Sequence, residues 1–93
     1  MPHKVQLHRS VAKTLSRMRP KERPRILKAL RVLETDPYEP RTGADIVRLK
    51  GTKGREDLFR LRIGNYRVIY AVQEQTVYVT DLFHRGRGYS GSS

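Results

Sequence analysis

The chain has 93 residues, no Cys and three His, and its 20 Lys and Arg against 9 Asp and Glu give a formal net charge of +11. This length holds one small domain, residues 1–93, and the lack of Cys excludes a disulfide framework or thiol nucleophile; His3, His8 and His84 are too few for a zinc centre, so no metal or cofactor is expected. No apolar run approaches the roughly 20 residues of a membrane span and MPHKVQLHRS lacks the apolar segment of a signal peptide, so the expected place is the cytoplasm, with no membrane partner.

In chain order, Lys4 to His8 alternates as a short strand, and Ser10 is the expected N-cap of a first helix that gathers Val11, Ala12, Leu15 and Met18 on one face. A second helix is expected from about Pro20–Pro24, with Ile26, Leu27, Ala29, Leu30 and Leu33 as its apolar stripe, and Asp36-Pro37 stops it. From Met1 to Arg31 there are ten basic residues and a single acid, Glu22. So basic a helical hairpin repels itself and attracts polyanions, because neutralising phosphates releases condensed counterions; nucleic acid is the leading partner, and an acidic protein is the other. Residues 37–54 read as a long loop with one short extended piece at Ile46–Leu49, and Gly51-Thr52-Lys53-Gly54 lacks the spacing and following helix of a phosphate-binding P-loop.

Next comes LFRLRIGNYRVIYAV, residues 58–72, which reads as a β-hairpin. Phe59, Leu61 and Ile63 alternate with Arg60 and Arg62, Gly64-Asn65 supplies two residues that tolerate positive φ, and Tyr66, Val68, Tyr70 and Val72 alternate on the return. A two-residue loop sets Arg67 beside Arg60 and Arg62 on the non-core face. Three like charges on one sheet surface destabilise it, which suits a surface that meets an anion; a solvated basic face is the other reading. After a turn at Gln73–Gln75, Thr76 to Phe83 forms the last long strand, with His84, Arg85 and Tyr89 near its rim and a small, polar, mobile tail at about 90–93.

The expected fold class is therefore α+β, in the order β-α-α-β-β-β: a small, mostly antiparallel sheet with a two-helix hairpin packed on one face and the N-terminal strand added beside one member of the meander. The arginine face suits RNA cleavage by attack of a ribose 2′-hydroxyl on the neighbouring phosphate. That reaction needs charge stabilisation, a base and an acid; arginine gives a fixed, bidentate charge and tyrosine a stacking surface. His84 is the nearby side chain whose ordinary pKa suits proton transfer at neutral pH.

Together Leu49-Lys50-Gly51, LFRLRIGNYRVIY and Phe83-His84-Arg85 followed by Tyr89 resemble the RelE branch of the RelE/ParE toxin superfamily over nearly the whole chain. The resemblance implies a type II toxin with a cognate antitoxin, acidic and amphipathic in character, that enters the ribosomal A site and cleaves mRNA. It implies that Arg60 and Arg67 stabilise the transition-state phosphate, that Arg85 assists the leaving oxygen, and that Tyr89 orients the nucleotide. A family lysine is replaced here by Leu58, for which Lys50, Lys53 or Arg62 are candidates in charge and His84 as base. Lys13, Arg17 and Arg25 on the helices become a ribosomal RNA docking surface. Two alternatives stand beside this: a ParE-like inhibitor of DNA gyrase, and a noncatalytic RNA- or ribosome-binding protein.

Overall fold

A computed structural model describes residues 2–49 and 58–87 of the chain. Its elements are β1 (Lys4–Leu7), α1 (Arg9–Ser16), α2 (Arg23–Thr35), β2 (Asp45–Arg48), β3 (Leu58–Ile63), β4 (Tyr66–Gln73) and β5 (Thr76–His84), followed by a short 3₁₀ turn, Arg85–Arg87. The strands form one mixed sheet in the order β1-β5-β4-β3-β2, antiparallel except for β1, which runs parallel to β5. The short extended piece expected before the hairpin is a true strand, so the sheet has five members.

Side chains satisfy open backbone groups at both ends of α1. His8, not Ser10, caps α1: its Nδ1 accepts from the Ser10 backbone N–H at 3.0 Å, which leaves Ser10 within the first turn. At the other end, Arg23 donates to the carbonyls of Leu15 (2.9 Å), Met18 (3.2 Å) and Ser16 (3.3 Å), so the first residue of α2 closes the end of α1. Pro24 sits in the first turn of α2, where its missing N–H costs nothing. Of the expected apolar stripes, Val11, Leu15, Met18, Ile26, Ala29, Leu30 and Leu33 are buried, whereas Ala12 and Leu27 face solvent. At 100° per residue each lies just beyond the edge of its helix's buried stripe.

The hairpin adopts the expected register. Arg62 pairs with Arg67 and Ile63 with Tyr66 across Gly64-Asn65, and Gly64 takes φ +58. Phe59, Leu61, Ile63, Val68, Tyr70 and Val72 all enter the core against the helices. Tyr70 is fully buried and donates to the Pro37 carbonyl at 2.7 Å, fastening the loop after α2 to the sheet; burial pushes its phenol well above the ordinary range, so it stays a donor at any physiological pH. Tyr70→Phe would leave that carbonyl without its partner. We expect a loss of about 1–2 kcal/mol in chemical denaturation, with an unchanged m value.

One irregularity redirects half of β5. Ile69 faces Asp81 but its neighbour Tyr70 faces Val79, so Thr80 is an extra residue, a β-bulge. Strict alternation from Val77 and Val79 would send Asp81 and Phe83 into the core and His84 to the arginine face. The bulge reverses this: Leu82 is buried opposite Val68, Asp81 and Phe83 share the face of Arg67, and His84 turns to the helix side opposite Tyr66.

Candidate functional site

Two cross-strand rows build the open face of the sheet. One runs Asp45, Arg62, Arg67, Phe83 across β2 to β5, and the next runs Val47, Arg60, Ile69, Asp81. Because side chains paired across strands stand on the same face, Arg60, Arg62 and Arg67 converge as the alternation of the hairpin required. Two carboxylates join them. Asp45 binds Arg62 Nε at 3.0 Å, with both side chains about half exposed. Asp81 accepts from its neighbour Thr80 at 3.1 Å.

Arg67 stands at the centre of the charge. It is half-buried, and among the described residues its guanidinium donates to the carbonyls of Gly64 (3.2 Å) and Tyr66 (3.1 Å). Burial, followed by the charges of Arg62, Arg60 and Arg85, holds its pKa below the ordinary arginine value, and Asp45 opposes them weakly. An arginine does not lose its proton on this account. The shift instead records that the cationic form is repelled by its surroundings, and an anion placed here would relieve that repulsion. Arg60 is also half-buried, and its Nε is enclosed without a hydrogen-bond partner among the described residues.

Arg85 follows β5 directly, and its backbone N–H donates to Asn65 O, which ties the start of the 3₁₀ turn to the hairpin loop. Its guanidinium belongs to the same electrostatic neighbourhood as Arg67. His84 does not. Its ring packs edge-on against Tyr66 at 5.1 Å between centroids, its Nδ1 accepts from the Gly86 N–H at 3.0 Å, and Tyr66 in turn donates to Glu22 Oε1 at 2.7 Å. The histidine therefore belongs to a cluster on the helix side, and the bulge at Thr80 is the reason. Lys13 on α1, Arg17 just after it and Arg25 on α2 are exposed, and the Arg25 guanidinium reaches the hairpin turn at Gly64. Lys50, Lys53 and Tyr89 lie outside the described residues.

Sequence reasoning missed three members of this face. Asp45 was hidden because the short strand was expected to start one residue later. Asp81 and Phe83 were hidden because a bulge leaves no periodic signature in the chain.

Comparison with known proteins finds chains to which this one is similar. The profile of a family described as the ParE toxin of the type II toxin–antitoxin system parDE matches residues 5–89. A Methanocaldococcus jannaschii protein carrying the provisional name toxin RelE1 is 35% identical over 72 residues, which is 77% of this chain and 76% of that protein. Among solved structures, a chain of the archaeal RelE–RelB complex from Pyrococcus horikoshii OT3 is 35% identical, with a TM-score of 0.77 over 95% of this chain and 100% of that one. A mutant of E. coli toxin RelE in the free state is similar in fold alone, at 18% identity and a TM-score of 0.67 over 99% of this chain and 93% of that one.

Proposed function

The chain belongs to the RelE/ParE superfamily of type II toxin–antitoxin toxins, and from that premise we propose that it is a ribosome-dependent endoribonuclease that cleaves mRNA in the ribosomal A site. The observation that carries this reading is the convergence of Arg60, Arg62 and Arg67 on one open sheet face where, among the described residues, two carboxylates, Asp45 and Asp81, join them. Such a surface is costly to the free fold and complementary to a phosphodiester whose charge grows in the transition state.

In the proposed reaction the 2′-oxygen of a ribose forms a bond to the adjacent phosphorus and gives up its proton to a water molecule. The bond from phosphorus to the 5′-oxygen breaks, and that oxygen takes a proton from water as it leaves. The products are a 2′,3′-cyclic phosphate and a 5′-hydroxyl. Arg67 and Arg60 bind the equatorial oxygens and stabilise the extra charge, Arg62 adds to the field, and Arg85 stabilises the leaving oxygen. Tyr89 orients the nucleotide by stacking, and Lys50 and Lys53 add phosphate contacts ahead of β3. His84, on the opposite face, has no part in this reading.

Primer extension on a translating ribosome complex tests the proposal. A cut within the A-site codon that requires both the toxin and the ribosome supports it. No cut at saturating protein overturns it. The family profile carries the ParE name, which favours gyrase inhibition as the second reading; loss of plasmid supercoiling by gyrase in the presence of this protein, with translation untouched, would establish that instead. Binding to ribosomes without a cut would point to a noncatalytic protein.

The same reading includes two partners. Since the archaeal relatives of known structure are RelE–RelB complexes, the proposed protein partner is a cognate antitoxin of acidic character. The second partner is the ribosome, docked through the basic helices. Reversing Lys13 and Arg17 to Glu is expected to weaken ribosome binding about tenfold and to flatten its dependence on salt, measured by co-sedimentation over a salt series. Binding unchanged by the reversal would remove the helices from the docking surface.

A further inference from the structure

We propose that the groove between α2 and the end of the hairpin is a second RNA subsite, which holds one nucleotide of a single strand running off the arginine face. The groove has a volume of about 710 Å³, within the range of small-ligand sites. Ala29, Val32 and Ile63 form an apolar floor, and Arg25, Lys28 and Arg62 form cationic walls. Arg62 belongs to both places, which makes the groove continuous with the arginine row.

Several features make this a built site. Arg25 and Lys28 are exposed and have no carboxylate partner among the described residues, so their charge is available. Arg25 lies flat over the hairpin turn: a Cβ on Gly64 would fall 2.9 Å from its guanidinium, so the glycine leaves room for it as well as accepting φ +58. Arg41 is held in place by the backbone. Its guanidinium donates to the carbonyls of Glu39 (2.5 Å), Asp36 (3.2 Å) and Val32 (3.3 Å), which fixes the far wall and the end of α2.

The mixture of charge and floor selects the ligand. A phosphate fits the cations and a base face fits the apolar floor, the pairing used for single-stranded RNA. Asp45 lines the same groove, and among the described residues its Oδ2 is engaged by Arg62. A carboxylate here would repel an acidic peptide, whereas it can accept from the exocyclic amino group of a base. The inference rests on the nuclease reading for the identity of the strand, but its test reads binding and needs no cleavage.

The experiment is fluorescence anisotropy of a short, 5′-labelled single-stranded RNA with the full-length protein over a salt series. Arg25→Ala with Lys28→Ala is expected to weaken binding about tenfold and to lower the salt slope by about one. Lys4→Ala with Arg31→Ala removes the same charge elsewhere and is expected to weaken it less than about twofold. Gly64→Asn, which keeps the left-handed turn and the net charge, is expected to weaken binding about threefold by displacing Arg25. Equal losses in the two double variants, no loss in the groove variants, or no binding by the wild-type protein at low salt would each overturn the subsite. So would a poly-glutamate peptide that binds through Arg25 and Lys28 as strongly as RNA does. A wild-type protein that fails to cut mRNA on the ribosome yet shows the expected binding pattern would remove the nuclease reading and leave the subsite standing.

Discussion

Arg67→Ala is expected to lower ribosome-dependent mRNA cleavage by about 10²–10³ while leaving the protein folded. The size follows from position. Arg67 sits in the middle of the arginine row, with Arg62 beside it, and it is the guanidinium whose charge the other three, Arg60, Arg62 and Arg85, most clearly oppose. Removing one preorganised donor from a developing oxyanion costs about 3–4 kcal/mol of transition-state stabilisation. The folded state loses two long hydrogen bonds to Gly64 and Tyr66 carbonyls but also loses the repulsion, so its stability should change by less than about 1 kcal/mol. Arg67→Lys keeps the charge without the bidentate fork and should fall between, about tenfold below wild type. Primer extension for activity and thermal unfolding for stability check both sides. Full activity in Arg67→Ala would remove this face from catalysis.

Leu33→Ala is expected to have the largest effect on the fold. Leu33 is completely buried in the core where α2 packs on the sheet. Losing the isobutyl group should cost about 3 kcal/mol, from both lost transfer energy and the space left behind. In a domain of this size that corresponds to a drop of roughly 15 °C in melting temperature. Leu27→Ala, on the same helix but exposed, should change the melting temperature by no more than about 3 °C. Similar drops for the two leucines would mean that Leu27 is also packed.

These contrasts show where the chain was legible. The hairpin was readable because two independent signals agree in it: period-two alternation through Phe59, Leu61 and Ile63, and a Gly64-Asn65 turn that permits one tight register. The arginine row followed from that register. The helical stripes were readable in their centres but not at their edges, since Ala12 and Leu27 differ from their buried neighbours only by angle around the axis. The cap was misplaced because a histidine nitrogen did the work usually given to a hydroxyl two residues later. His84 was grouped with the arginine face for a different reason. Strand periodicity carries phase, and one inserted residue at Thr80 inverts the phase of everything after it without altering any local pattern.

The parallel pairing of β1 with β5 has a consequence for how the molecule is made. Val5 meets Val77, so this contact closes a loop of roughly seventy residues, whereas the hairpin of β3 and β4 closes on two. Local contacts form first and distant ones last, which gives the arginine-bearing hairpin an early place in folding and makes the N-terminal strand the final piece. During synthesis the sheet therefore stays open at β1 until β5 has emerged, so the cationic hairpin can form before the outer edge closes.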